Sequence, residues 1–217
     1  SGRRSWHGQG HATTFAQIVA DRLGIGVDKI DLVQGDTDIV KSGGGTGGSR
    51  STQMGGNALM MAADASVEKG KQLAAEMLEA AAADIEYGEG RFTVVGTDRS
   101  VGLFDVAKRA QDRTNLPEHL QEALADGLDS DETYNMQEST FPNGCHICEV
   151  EIDPDSGRTE ILRYTIVDDF GKVINPLLLT GQVHGGVGQG VGQALHEGVV
   201  YDEDGQLVTG SFMDYGM

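Results

Sequence analysis

The segment from Gly144 to Pro176 decides the fold class. It begins Gly144-Cys-His-Ile-Cys-Glu-Val-Glu-Ile-Asp153, turns at Pro154-Asp-Ser-Gly157, and returns as Thr159-Glu-Ile-Leu-Arg-Tyr-Thr-Ile-Val-Asp168. Two runs with strand-forming residues flank four turn-forming residues, which predicts a hairpin of two long strands. The following Asn175-Pro176 predicts a helix start, because Asn suits the N-cap and Pro suits the first helical position.

Helices and short strands are predicted upstream of the hairpin. In Thr13–Gly24, the residues Phe15, Val19 and Leu23 stand four positions apart, which predicts one apolar helix face that ends at Gly24. A longer helix, rich in Ala and Met, is predicted over Gln53–Ile85. Two further helices and two strands complete the prediction: Leu103–Ala110, Pro117–Ala125, Lys29–Gln34 and Arg91–Val95.

This mixture of helices and hairpins predicts the α+β class, with mixed β-sheets packed by long helices. The 217 residues suit one large domain or two small ones. An acidic, polar stretch at Asp126–Glu132 separates the helical part from the hairpin. We therefore expect one domain with two candidate subdomains, residues 1–130 and 131–217.

The charge and hydropathy of the chain exclude several classes of function. It carries 34 acidic and 16 basic residues, a formal charge of −18, which repels phosphate backbones and anionic lipid. No nucleic-acid partner is therefore expected. No stretch reaches the roughly 18 apolar residues of a membrane span, and residues 1–10 do not read as a secretory signal. The expected location is the cytoplasm.

Two cysteines, Cys145 and Cys148, form the only C-x-x-C pair. This spacing occurs in redox pairs and in half zinc sites. However, positions three apart on a strand point to opposite faces, and there is no second C-x-x-C to complete a zinc site. We expect two partly buried structural thiols in a reducing compartment. The histidines show neither H-x-x-x-H nor H-E-x-x-H, so no protein metal ligand is assigned.

A glycine-rich segment follows the predicted helix start and reads Gly181-Gln-Val-His-Gly-Gly-Val-Gly-Gln-Gly-Val-Gly-Gln-Ala-Leu195. Each glycine inside a helix costs about 1 kcal/mol relative to alanine, so something must approach this backbone closely. Two explanations stay open. The helix packs tightly against another helix or sheet, or a cofactor lies against it with Gln182 as the polar contact.

Neither common nucleotide-binding motif fits the other glycines. Gly43 and Gly48 have the first spacing of a P-loop, but Ser49 stands where its lysine is required. Gly8 and Gly10 begin the Rossmann pattern, but Thr13 replaces the third glycine. A free-standing nucleotide-binding domain is therefore poorly supported.

Two polar segments stand at predicted helix starts. Backbone N–H groups after Gly8-Gln-Gly-His-Ala-Thr13 attract anions such as pyrophosphate, and the amide of Gln9 suits the edge of a pterin or pyrimidine. Ser49-Arg-Ser-Thr52 adds hydroxyls and the guanidinium of Arg50, which can bind phosphate through two hydrogen bonds. Each segment alone is explained by helix capping. Together they indicate one ligand with both phosphate and heterocyclic edges.

Four motifs in sequence order carry a family resemblance. They are Gly8-Gln-Gly-His-Ala-Thr-Thr14, Thr46-Gly-Gly-Ser-Arg-Ser-Thr52, Val167-Asp-Asp-Phe-Gly171 with Ile174-Asn-Pro176, and Gly181-Gln-Val-His-Gly-Gly186. The combination resembles the molybdenum-binding large subunits of the xanthine oxidase family, especially the carbon monoxide dehydrogenase-like and aldehyde oxidase-like branch. The likeness covers nearly the whole chain.

The resemblance implies a bound molybdopterin with molybdenum, usually as the cytosine dinucleotide. Gly8, Gln9, Gly10 and His11 would contact the pterin and its phosphates, and Thr13 belongs to the same motif. Ser49, Arg50, Ser51 and Thr52 would line the dinucleotide, and Gln182 would reach the pterin edge. The family's iron–sulfur clusters and FAD lie on partner subunits or domains.

The implied activity is oxidation of a small substrate, such as carbon monoxide or an aldehyde, with oxygen derived from water. The family's upstream active-site loop and its downstream catalytic glutamate have no counterpart in the chain, so no catalytic residue is assigned. The chain therefore reads as a fragment that is inactive alone, and we expect it to self-associate through uncovered apolar surface. The alternative is a non-catalytic interaction module that retains the fold without the cofactor.

Overall fold

The computed structural model describes residues 8–40, 43, 45–112 and 116–216. Residues 1–7, which showed no secretory pattern, lie outside this set. The chain divides into two compact units, the first up to Glu138 and the second from Ser139 onward. Helices and antiparallel sheets occur together, which confirms the predicted α+β class. None of the helices in the described ranges has the length and hydropathy needed to cross a membrane.

Unit 1 combines three helices with a small antiparallel sheet. The strands follow one another in the order β1-β2-β3, so the sheet is a meander. The elements of unit 1 are α1 (His11–Leu23), α2 (Ser51–Leu78), β1 (Ile85–Gly88), β2 (Arg91–Val94), β3 (Ser100–Gly102) and α3 (Leu103–Gln111).

The core of unit 1 lies between α2, the sheet and α3. Its fully buried large side chains are Phe92, Leu73, Leu124 and Val106. α2 approaches the sheet closely because residue 70 is a glycine: a Cβ there would lie 2.5 Å from Cζ of Phe92. This core fixes α2, the longest helix, against the sheet.

α1 packs against the N-terminal half of α2, and the contacts show that the two helices run in parallel. Phe15 of α1 meets Gly55, where a Cβ would lie 2.9 Å from Cζ of the ring. Further along both helices, Arg22 Nη2 of α1 donates to Asp64 Oδ2 of α2 at 2.6 Å. This hydrogen bond raises the pKa of Arg22. Later residues of α1 thus meet later residues of α2. The N-termini of both helices therefore lie at the same end of the pair.

Unit 2 is a long hairpin followed by a helix. β4 (Asn143–Ile152) and β5 (Thr159–Asp169) are antiparallel, with an irregularity between Glu149 and Val150. Asp153 Oδ1 accepts from the backbone N–H of Asp155 at 2.8 Å, which closes the predicted turn. Asn175 Oδ1 accepts from the N–H of Leu178 at 3.0 Å, so the predicted N-cap of α4 (Pro176–Leu195) is confirmed.

Two predicted elements in unit 1 differ from the structure. The predicted strand Lys29–Gln34 is wrong: Val27–Lys29 form a short 3-10 turn, and the described part of the chain offers residues 30–34 no strand partner. The predicted helix Gln53–Ile85 ends at Leu78, because Glu79 adopts a left-handed conformation with φ 49°. Ile85 instead begins β1, and β3 was not foreseen.

Two further predictions fail for lack of tertiary information. Within Pro117–Ala125, only Glu118–Leu120 form a 3-10 turn, and successive turns replace the expected α-helix. Cys145 and Cys148 lie on a strand as predicted, but both are exposed free thiols rather than partly buried ones. No described residue of unit 2 is buried, so the hairpin offers no interior in which to place them.

Candidate functional site

The first candidate segment, Gly8–Thr13, includes two glycines that precede α1. Gly8 has φ 83° and Gly10 has φ 73°, in the left-handed region that glycine adopts without steric penalty. Gly10 is the N-cap of α1 and offers no side chain to cap it. No heavy atom of the described chain lies within 4 Å of a Cβ built on Gly8. Within the described residues, the positive end of α1 is therefore open to an anion.

The second candidate segment precedes α2 and is equally open. Around Gly45, Gly47 and Gly48, the described residues place no heavy atom within 4 Å of a built Cβ. Ser49 adopts φ 52° directly after Gly48 at φ 62°, a conformation that costs a residue with a side chain about 1–2 kcal/mol. Such strain tends to persist where a binding site requires the backbone geometry.

Arg50 stands at the N-cap of α2 without a side-chain capping hydrogen bond, and it is exposed. Ser51 and Thr52 form the first turn of the helix behind it. Because α1 and α2 are parallel, this segment lies at the same end of the helix pair as Gly8–Gly10. Two helix N-termini with aligned dipoles and the exposed Arg50 thus lie at one end of the helix pair, in a chain of net charge −18.

Within the first segment, the candidate side chains differ in their exposure to solvent. Gln9 and Thr13 are exposed, whereas His11 is only 8% exposed and Thr14 likewise. The His11 ring stacks on Phe15, with centroids 5.2 Å apart and planes at 20°. Sequence reasoning missed the roles of Phe15 and Gly55. The Gly55-Gly56 pair inside a predicted helix was the signal of a close helix contact.

A family model described as the molybdopterin cofactor-binding domain matches residues 5–217. The chain belongs to this family. The gamma subunit of the 6-hydroxypseudooxynicotine dehydrogenase complex of Paenarthrobacter nicotinovorans is 42% identical, over 96% of this chain and 26% of that protein. The carbon monoxide dehydrogenase large chain of Hydrogenophaga pseudoflava is 37% identical, over 96% of this chain and 25% of that protein.

A solved structure supports the same assignment. The crystal structure of a Cu,Mo-CO dehydrogenase superposes with a TM-score of 0.84 and 37% identity, covering 97% of this chain and 26% of that one. The resemblance to molybdenum-binding subunits of the xanthine oxidase family is thereby confirmed. The domain spans about a quarter of the length of these relatives.

The donors of the molybdopterin-binding domain fit a phosphate-bearing cofactor. Uncapped helix N–H groups and the exposed Arg50 suit phosphate oxygens, and the hydroxyls of Ser49, Ser51 and Thr52 add neutral donors. The exposed amide of Gln9 suits a heterocyclic edge. The described residues contain no group of three or more His, Cys, Asp or Glu side chains arranged to hold a metal ion.

Gln182 lies in unit 2, exposed on the glycine-rich helix α4. A Cβ built on Gly181, Gly185, Gly186, Gly188 or Gly190 would have no described heavy atom within 4 Å. Packing against a neighbouring helix or sheet, one of the two explanations for these glycines, is therefore not seen for these five positions in the described structure. The explanation that a ligand or another surface approaches them stays open.

The hairpin and α4 enclose a shallow cleft of about 370 Å³ within unit 2. His146, Cys148 and Tyr164 line its hairpin side, and Gly186 and Gly190 lie on the helix side. His146 Nε2 is 3.1 Å from Asp168 Oδ1. The lining is mostly apolar, so the cleft offers little to hold a charged group.

Proposed function

We propose that this domain holds the molybdopterin of a molybdenum hydroxylase large subunit as its cytosine dinucleotide, with the phosphates at the joint N-terminal end of α1 and α2. The observation that carries the proposal is the parallel packing of α1 and α2, both of which begin without a side-chain cap. A pyrophosphate placed there meets N–H groups from two helices, and each helix end favours negative charge by about 0.3–1 kcal/mol.

The individual residues have distinct roles in this proposal. The left-handed turns at Gly8 and Gly10 let the backbone approach the ligand, and Gln9 donates to and accepts from the heterocycle. Arg50 binds phosphate, and the hydroxyls of Ser49, Ser51 and Thr52 complete the anion shell. Thr13 lines the exposed side of the first turn, and Gln182 reaches the pterin edge. When bound, molybdopterin carries the molybdenum through its dithiolene and supplies the redox chemistry.

The activity of the whole subunit follows from its relatives. We infer a molybdenum-dependent oxidoreductase that oxidises a small substrate, such as carbon monoxide or an aldehyde, with oxygen derived from water. One relative is named as a subunit of a dehydrogenase complex, which supports partner subunits that carry iron–sulfur clusters and FAD. We place the complex in the cytoplasm, and the two units of this chain in one functional domain with candidate subdomains 1–130 and 131–217.

The cofactor content of the purified full-length subunit tests this proposal. Stoichiometric molybdenum together with a cytidine nucleotide released by hydrolysis is the expected result. A folded full-length subunit with neither would contradict it and would favour the non-catalytic interaction module, for which the exposed apolar side chains of unit 2 provide a surface.

A further inference from the structure

His11 occupies the joint end of α1 and α2, but its ring faces the protein rather than solvent. It is 8% exposed, while the neighbouring Thr13 is exposed. Its described ring contact is with Phe15, one helical turn later, in a stacked arrangement with the centroids 5.2 Å apart. A ring that binds a ligand beyond the end of the helices would have to point outward. The burial of His11 therefore indicates another role.

The stack continues from Phe15 to the second helix. A Cβ on Gly55 would lie 2.9 Å from Cζ of Phe15, so the ring tip occupies the space that a side chain would take. The next residue, Gly56, meets Ile18 in the same way, with Cδ1 at 3.0 Å from a built Cβ. His11, Phe15 and Gly55 thus form a continuous contact from the first turn of α1 to the second turn of α2.

We propose that His11 is a positioning residue: through Phe15 and Gly55 it fixes the spacing of the two helix N-termini, and its ring nitrogens do not bind the ligand. This rests on the proposed function, since the two N-termini need a fixed spacing only if one ligand meets both. The stack acts by steric fit, because the Phe15 ring is held between the His11 imidazole on one side and Gly55, which has no Cβ, on the other.

Two substitutions of His11 separate positioning from direct binding. His11→Phe keeps a ring for the stack and removes both nitrogens, whereas His11→Asn keeps a polar side chain and removes the ring. Two readouts are needed on the full-length subunit. The first is the content and dissociation rate of the pterin dinucleotide. The second is hydrogen exchange of the Thr14 and Met54 amides, which donate the first backbone hydrogen bonds of α1 (to Gly10 O, 3.0 Å) and of α2 (to Arg50 O, 2.9 Å). Asp21→Asn, an exposed position on the same helix, is the matched control.

Positioning predicts that His11→Phe stays within about twofold of wild type in both readouts, like the control. In His11→Asn, the cofactor should be released, and the Thr14 and Met54 amides should exchange, at least about tenfold faster. The reverse order of the two variants, equal losses in both, or no loss in either would overturn the proposal. The exchange readout needs no bound cofactor, so it still tests the stack if the proposed function itself is wrong.

A second pair of variants tests the path through α2. Gly55→Ala should displace Phe15 and speed hydrogen exchange of the Thr14 and Met54 amides, as His11→Asn does. If both changes act on one stack, the double variant loses no more than the worse single variant. Fully additive losses would mean that His11 and Gly55 act separately and would contradict the proposal.

Discussion

Unit 1 and unit 2 differ in where their apolar side chains lie. In unit 1, Phe92 and Leu73 are fully buried between helices and sheet. In unit 2, no described residue is buried, and Phe212 and Met213 are 84% and 95% exposed. Unit 1 therefore has a hydrophobic core of its own, whereas unit 2 is held by backbone hydrogen bonds and turn capping. Its apolar residues suit a surface that something else covers.

The glycines of the two long helices repeat this difference. Gly55 and Gly70 of α2 face the rings of Phe15 and Phe92, so they are packing glycines. Gly185 and Gly188 of α4 face no described atom within 4 Å. Helical glycines therefore have two different surroundings. In α2 they allow a side chain of the same unit to pack against the helix backbone, and in α4 no described residue occupies the space beside them.

Removing one phenylalanine from each unit gives the largest expected contrast. Phe92→Ala should lower the free energy of unfolding by about 3–5 kcal/mol, because it leaves a cavity in the only core of the described chain. Phe212→Ala should change it by less than about 0.5 kcal/mol, since the ring is already in water. Urea denaturation followed by circular dichroism measures both. Comparable losses would show that unit 2 has a core.

Adding a methyl group to α2 and to α4 tests whether their glycines differ in the space around them. Gly70→Ala forces its Cβ against Phe92, and such overpacking costs about 1–3 kcal/mol of stability. Gly188→Ala meets open space and should stabilise α4 by up to about 1 kcal/mol through helix propensity. Opposite shifts in the denaturation midpoint are expected. A destabilising Gly188→Ala in the isolated chain would mean that an atom already lies against that face.

The exposed apolar surface of unit 2 should cause self-association that depends on concentration, the smallest of the effects expected from the difference between the units. The isolated chain should self-associate, because large apolar side chains in water favour contact with each other. Light scattering over a dilution series should show an average mass that rises with concentration, and Phe212→Asp should reduce the rise. A monomer at every concentration would contradict this expectation.

Features set by local hydrogen bonds could be predicted from the sequence. The Pro154–Gly157 turn and the Asn175 cap depend on neighbours within four residues, and both appear as expected. The strand predicted at Lys29–Gln34 was wrong, because a strand requires a partner strand that can be distant in sequence and that a local pattern does not reveal. The predicted partial burial of Cys148 was wrong, because the exposure of a strand residue depends on what covers the sheet, and no local sequence pattern shows that.

The candidate site divides in the same way. The sequence places Gly8–His11 and Ser49–Thr52 at helix starts, and helices α1 and α2 do begin there. The parallel pairing that brings these starts together depends on Phe15 meeting Gly55, a contact across 40 positions of sequence. The buried His11 ring stacks on the same Phe15 side chain. Ligand contacts for these residues stay a prediction.

Removing one charge tests the claim that the cofactor phosphates lie at the joint N-termini of α1 and α2. Arg50→Gln keeps a polar side chain with an N–H donor but shortens it and deletes the cation. Arg99→Gln does the same at an exposed position of unit 1 outside the site. Molybdenum and cytidine nucleotide are then measured in each purified full-length subunit.

Arg99→Gln should retain the wild-type content of molybdenum and cytidine nucleotide. Arg50→Gln should lose cofactor affinity at least about tenfold, because a hydrogen bond to a charged group contributes about 1.5–3 kcal/mol. If Arg50→Gln retains both components with unchanged dissociation rates, the phosphates lie elsewhere and the claim is wrong.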